Sequence, residues 1–356
     1  MYKVGVFISG GEKGGSRYQV MTIAKELKEK IEFVFFNFYE GELYSDIKKE
    51  NFKNYLFKGK FEINNIKEKV LQEKLDLIHT YGFRGNFYGR IISKLTKIKS
   101  ISTYTSFMNE DYESVLKGIF LEKIDDLTLK IPEKIIVSSS SLKEYIKKRG
   151  YKKEIKVIHL GIEDNLDFYK KEDFGLNEND FVIGTVMRLE RVKNPIFLIE
   201  VFNEILKKEK NAKLVIVGDG SLKEKVLSKI DELNLKDYVK LLGFRKDARK
   251  IYGIFDIFVL PSIKEGFSIV TLEAMASSLP VVVYNSLGVR EMVEDVINGF
   301  ILKELDKKEF AEKILLFLYK EKREELGKIN REKVLNYFKK DDMVLNTLKV
   351  YEEVIR

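Results

Sequence analysis

The chain contains no cysteine, which excludes disulfides and thiolate chemistry. Its two histidines, His79 and His159, are too few for a multi-histidine metal site. No apolar run approaches the roughly 18 residues that a membrane span needs. The apolar opening Val4-Gly5-Val6-Phe7-Ile8 is too short for the core of a signal peptide. Low-complexity tracts and short-period repeats are also missing. These absences predict a cytoplasmic protein without thiol chemistry and without a multi-histidine metal site.

What is present is globular in composition. The 356 residues, 44% of them hydrophobic, suffice for two domains that each bury a core. The net charge of +8 is uneven: residues 1–165 hold 30 Lys/Arg against 23 Asp/Glu, leaving 34 against 33 for the rest. Lys143, Lys147, Lys148, Arg149, Lys152, Lys153 and Lys156 form one basic stretch. A solvated surface explains such a stretch, and so does an anionic membrane face, which would make the protein peripheral on the inner membrane. No nucleic-acid motif accompanies the charge, so nucleic acid is not an expected partner.

Short β-rich runs alternate with amphipathic segments throughout, the α/β pattern. Strands are predicted near 2–8, 31–38, 75–79, 100–105, 134–138 and 155–160, then near 181–187, 213–218, 239–243, 257–260 and 280–284. Val20, Ile23, Ala24 and Leu27 make one apolar face of a helix from Tyr18 to Lys30. Ser141-Leu142-Lys143-Glu144 and Ser221-Leu222-Lys223-Glu224 both read as capping boxes. The polar stretch from Glu163 to Asp180 has linker composition. The expected organisation is an N-terminal Rossmann-like domain over 1–163, a second over 164–335, and a C-terminal helix over 336–356 that returns to the first. Doubly wound sheets bind ligands beyond the carboxyl ends of their strands.

The most informative segment is Glu265-Gly266-Phe267-Ser268-Ile269-Val270-Thr271-Leu272-Glu273. A buried strand leads in and a helix capped by Ser268 leads out. The helix start offers unpaired N–H groups and positive dipole potential, a seat for phosphate. Glu265 stands just before that seat and Glu273 about a turn inside the helix. One ligand with a sugar on one side of its phosphates and a ribose on the other would meet both. Upstream, Arg188 and Lys193 follow a strand end, where a guanidinium fork and a point charge would neutralise a diphosphate. Asp219-Gly220 and Ser286-Leu287-Gly288 read as structural turns. In the first half, Gly10-Gly11-Glu12-Lys13-Gly14-Gly15 follows strand one and opens a helix, but it is not the Gly-x-Gly-x-x-Gly dinucleotide pattern.

This Glu-x7-Glu spacing, with Arg188 and Lys193 before it, resembles the retaining glycosyltransferases of family 4. The likeness is strong over Phe181 to Leu302 and looser before that. It implies α/β architecture with two Rossmann-like doubly wound domains facing across a cleft, the GT-B fold. It implies an enzyme that moves a hexose or N-acetylhexosamine from a nucleotide sugar, a UDP-sugar by family frequency, to a glycan or lipid-linked acceptor. No metal or other cofactor is implied. Arg188 and Lys193 would stabilise the leaving diphosphate and Glu265 would position the sugar. Glu273 would hold the ribose, and the backbone of Gly266, Phe267, Ser268, Ile269, Val270 and Thr271 the diphosphate. Gly243, Phe244 and Arg245 occupy the place of the base-binding loop, and Gly14 and Gly15 that of the family's glycine loop, with Arg17 replacing its acid.

The chain departs from the family at Met187, where glycine is usual, and at Ser102-Thr103-Tyr104-Thr105-Ser106, where many relatives carry a histidine. Tyr104 or Thr105 stands in its place. His79, at a strand end, is a candidate acceptor or sugar contact and equally a structural histidine; His159 reads as structural. Tyr81, Tyr88, Tyr104 and Tyr112 suggest tyrosine-rich loops suited to a lipid-linked or polysaccharide acceptor, as in capsule assembly. Two other classes fit parts of the pattern: a nucleotide-sugar-binding protein without catalysis, and another GT-B enzyme such as a sugar-nucleotide epimerase.

Overall fold

A computed structural model describes residues 1–12, 14–59, 62–108, 115–164 and 167–356. Its contacts divide the chain into two units, Met1–Gly161 with Lys340–Arg356, and Ile162–Lys339.

The first unit is a seven-stranded sheet: β1 (Tyr2–Ile8), β2 (Ile31–Asn37), β3 (Lys53–Leu56), β4 (Leu77–Tyr81), β5 (Ser100–Tyr104), β6 (Lys134–Val137) and β7 (Ile155–Val157). All pairings are parallel, in the order 3-2-1-4-5-6-7. Parallel strands need crossovers, and helices supply them: α1 (Gly15–Leu27), α2 (Glu42–Lys49), α3 (Ile63–Glu73), α4 (Gly82–Thr96), α5 (Val115–Asp126) and α6 (Ser140–Lys148). Covered on both faces, the strands are nearly all apolar, and Phe7, Val34, Phe36 and Ile78 sit at the centre of one core layer. The predicted apolar face of α1 is buried at Val20, Ile23, Ala24 and Leu27.

The second unit repeats the plan with β8 (Phe181–Val186), β9 (Ala212–Val217), β10 (Val239–Gly243), β11 (Ile257–Leu260), β12 (Val281–Tyr284) and β13 (Gly299–Leu302). Their order is 3-2-1-4-5-6 within the unit, again all parallel. Its helices are α7 (Pro195–Leu206), α8 (Lys223–Glu232), α9 (Ala248–Ile251), α10 (Ile269–Ala276), α11 (Lys307–Leu315) and α12 (Lys320–Tyr337). The last helix, α13 (Lys340–Ile355), belongs to the first unit and lies against α1 and β4. Both orders reverse direction between the first strand and the fourth, the switch point where doubly wound sheets take ligands.

The sequence reading missed β3 and β13, short strands that follow polar segments. Both predicted capping boxes are corrected. Ser139, not Ser141, caps α6, accepting from the Leu142 amide at 3.2 Å. Ser221 caps nothing: its hydroxyl donates to Glu190 at 2.6 Å, while Leu222 holds the cap position of α8. The stretch expected as linker contains a short 3-10 turn at Lys171–Phe174.

Candidate active site

In the second unit, β8 and β11 are neighbours and their carboxyl ends carry the two motifs. Beyond β8 the chain passes Met187, exposed Arg188 and a 3-10 turn at Arg191–Lys193. Asn194 takes a left-handed conformation and Pro195 starts α7 with its φ already suited to a helix. Beyond β11 come Pro261 to Ser268 and then α10. The two loops are laced together where the Ile263 amide donates to the Val192 carbonyl at 2.9 Å.

That lacing brings Lys193 onto Glu265, 72 residues away in sequence, with Nζ donating to Oε1 at 2.6 Å. The pair is largely enclosed, the side chains 15% and 8% exposed. Glu265 is pinned from behind as well. The Gly288 amide donates to its carbonyl at 2.9 Å. A Cβ on Gly288 would fall 2.4 Å from the Gly266 carbonyl oxygen, so only glycine permits this approach. The turn at Ser286–Gly288 is thus structural, as read.

Ser268 occupies the N-cap position of α10 without capping it; its hydroxyl instead accepts from Thr271 Oγ1 at 2.9 Å. Among the described residues no side chain takes the first-turn amides, and the first turn holds no acid. Those N–H groups keep the capacity to bind an anion. The hydroxyls of Ser262 and Ser286, just past β11 and β12, are buried and make no hydrogen bond among the described residues. The side chain of Phe267 is buried against Phe338, their rings 5.9 Å apart, so Phe267 offers its backbone alone.

Glu273 lies inside α10, its side chain 13% exposed. Tyr252 donates to its Oε2 at 3.1 Å, and Arg249 stands 3.8 Å from its Oε1. Burial raises its pKa, against the opposing pull of Arg249 and Tyr252. Glu273 is therefore a poorly solvated carboxylate able to accept hydroxyl groups. Around β10, Gly243 and exposed Phe244 stand at the strand end. Arg245 is already matched: it grips Asp247 with two hydrogen bonds of 2.9 and 2.7 Å and lies over Tyr169 and Phe174. The grip holds the Asp247 carboxyl down at about 2.

The first unit contradicts several expectations. His79 is fully buried, with Nδ1 2.7 Å from the Tyr351 hydroxyl and Nε2 2.7 Å from Thr103 Oγ1. Burial lowers its pKa to about 3, so it is a neutral structural residue with no nitrogen left for a ligand. Tyr104 is equally enclosed, donating to Asp125 and accepting from Arg90 at 2.7 Å. Arg17 spends its charge on Glu42 and on Asp46, the latter at 2.6 Å, tying α1 to α2 instead of facing a phosphate. Tyr81 is core and Tyr88 stacks on Phe38 at 4.8 Å, so these are not acceptor loops; Tyr112 lies outside the described residues. Thr105 remains half-buried past β5, and His159 bonds the Ser138 carbonyl at 3.1 Å.

Gly14, with φ of 74°, caps α1, and nothing lies within 4 Å of where its Cβ would be. Gly15 follows as the first helical residue, again without an acid in the first turn. The reading missed Glu12, whose carboxylate accepts from the Ser9 amide at 3.0 Å and the Gly10 amide at 2.7 Å. Burial raises its pKa against those bonds. Its place in a Gly-Gly-Glu turn was the available signal.

Comparison with known proteins decides the family. The model of Glycosyl transferases group 1 matches residues 167–333 and that of Glycosyltransferase Family 4 residues 13–166. An uncharacterized glycosyltransferase of Methanocaldococcus jannaschii is 30% identical over 75% of this chain and 72% of its own. The chain is a family-4 glycosyltransferase. It is also 27% identical to the UDP-Gal:alpha-D-GlcNAc-diphosphoundecaprenol alpha-1,3-galactosyltransferase of Escherichia coli, over 84% of this chain and 78% of that one. Among solved structures, Anabaena HepE in complex with UDP-glucose superposes with a TM-score of 0.88. It is 19% identical and covers 99% of this chain and 100% of its own, which establishes the shared GT-B fold. The non-catalytic and epimerase readings fall with this assignment.

Proposed function

We propose that the enzyme transfers a hexose or N-acetylhexosamine from a UDP-sugar to a glycan or lipid-linked acceptor, with retention of configuration, in cell-surface polysaccharide assembly. One observation carries the site: Lys193 and Glu265 meet at 2.6 Å at the β8–β11 switch point, directly before an α10 N-terminus whose amides no side chain takes. UDP and the lipid-linked class of acceptor are supported by the name of the Escherichia coli relative and by the ligand of the Anabaena neighbour.

In this reading the diphosphate sits on the first-turn amides of α10. Arg188 and Lys193 stabilise the charge that builds as the sugar–phosphate bond breaks, and no metal is needed for that task. Lys193 turns from Glu265 toward the phosphates and Glu265 becomes free to accept sugar hydroxyls. Glu273 accepts the ribose hydroxyls, with Gly243 and Phe244 beside the base. The acceptor oxygen forms its new bond on the face the diphosphate leaves, and its proton passes to the departing phosphate oxygen.

The test is a calorimetric titration of UDP, GDP and ADP, followed by NMR of the anomeric proton in any product. Selective binding of UDP and an α-linked product from an α-linked donor support the reading. Preference for another nucleotide overturns the donor assignment, and a β-linked product overturns retention.

A further inference from the structure

Helix α5 is built inside out. Its three carboxylates face the protein: Asp125 is fully buried and bonds Arg90 at 2.9 Å and Arg149 at 2.7 Å. Asp126 accepts from Arg149 at 2.8 Å, and Glu122 accepts from Tyr145. Leu121 and Ile124 are half-buried, and its other described large apolar side chains face outward. Leu116 is 80% exposed, Ile119 46%, Phe120 65%, and Leu127, in the turn just past the helix, 81%. At 100° per residue, Leu116, Ile119, Phe120 and Lys123 fall within one arc of about 100°. A soluble helix ordinarily shows the reverse, and a contiguous exposed apolar stripe marks an interaction surface.

We infer that this stripe docks the protein on an anionic lipid bilayer. Charge chooses the occupant. The lysines of α5, Lys117 and Lys123, and Lys130 just after it, are all exposed, while Glu122 and Asp125 bond inward and Asp126, shared between Arg149 and Lys123 at 3.9 Å, stays partly exposed. The neighbouring α6, joined to α5 through Tyr145 and Arg149, adds exposed Lys148 and half-buried Lys143, its exposed Lys147 being paired with Glu144 at 2.9 Å. A second copy of the chain on the same stripe would bring like charges together. A membrane surface instead takes the leucines and the phenyl ring below its headgroups and lets lysine stems reach its phosphates. The inference stands apart from the donor and acceptor assignments and needs no activity to be tested.

Sedimentation of the full chain with vesicles provides the test. Binding to phosphatidylcholine vesicles containing phosphatidylglycerol is expected, with far less on phosphatidylcholine alone. Leu116→Ser with Phe120→Ser should weaken it by about tenfold or more, since removing the inserted apolar groups leaves electrostatic attraction alone. Lys130→Glu with Lys148→Glu should weaken it too, and neither pair touches the buried network. The chain has no tryptophan, so Phe120→Trp makes a single reporter whose emission should shift to the blue on the same vesicles. Three results would overturn the inference: no sedimentation with anionic vesicles, sedimentation unchanged by the Leu116/Phe120 pair, or a concentration-dependent dimer that this pair abolishes.

Discussion

Two sheets with the same strand order end in opposite ways. In the first unit, the polar side chains in the middle of β4 and at the end of β5 are spent on buried partners: His79 on Tyr351 and Thr103, Tyr104 on Arg90 and Asp125. In the second, the ends of β8 and β11 deliver Lys193 and Glu265 to a helix N-terminus with amides to spare, and leave Arg188 in solvent. The sheet sets where groups converge; whether they can do chemistry depends on what else they touch. A satisfied network holds a fold, and an unsatisfied one holds a ligand.

The largest effect should come from breaking the first of these. Asp125 neutralises two arginines in a fully buried site, and burial, which favours its neutral form, is outweighed by Arg90 and Arg149, so its pKa is lowered. Asp125→Ala strips fully buried Arg90 of its carboxylate and leaves Arg149 with Asp126 alone, and should cost about 3–5 kcal/mol of stability. Chemical denaturation reads that loss, and turnover per folded molecule at low temperature should stay near that of the wild type. A rate collapse in protein that is still folded would show that this cluster serves catalysis, erasing the contrast.

Arg188→Ala should give the opposite pair of results. The residue is exposed, so stability should move by no more than about 0.5 kcal/mol. Loss of leaving-group stabilisation should cut turnover by about 10²–10³, or roughly 2.7–4 kcal/mol. Steady-state kinetics beside a thermal melt would separate the two. Unchanged turnover moves the leaving-group role to Lys193 and the α10 amides.

The same contrast governs what could be read in advance. The second unit was legible because its chemistry is local: after an apolar strand, a turn and a helix start place Glu265, Ser268 and Glu273 within nine consecutive residues. The fold was legible for a related reason, since apolar runs such as Val281-Val282-Val283 declare strands buried on both faces. His79 was not legible, because the hydroxyl that silences it comes from Tyr351, 272 residues away. Tyr104 and Arg17 fail similarly: their partners Asp125, Glu42 and Asp46 sit on other helices, and sequence shows that a group is polar before it shows that it is spent. The capping boxes misled for a smaller reason. Four consecutive serines, 138 to 141, run into α6, and the backbone turns helical at Ser140, one residue before the chosen one can cap.

Glu273 combines both behaviours, which makes its pH dependence the finest test. It is buried like the first unit's network yet placed like the second unit's site, and burial raises its pKa above the ordinary 4.5. The folded state therefore holds this proton at a pH where the unfolded state has released it. Stability from that proton is fully present below 4.5 and is lost as pH rises through the raised value. Ribose hydroxyls need the ionised form as acceptor, so nucleotide affinity should run the other way, falling as pH drops through the same window. Glu273→Gln should then be more stable than the wild type at pH 7 and bind UDP roughly tenfold or more weakly, the worth of hydrogen bonds to a charged group. It should also lose the part of the affinity–pH slope that the wild type shows above the ordinary carboxylate range. Thermal melts and UDP titrations from pH 4.5 upward read both signs at once. A variant that is less stable and binds equally well would make Glu273 a structural carboxylate, and the second unit would then resemble the first more than its loops suggest.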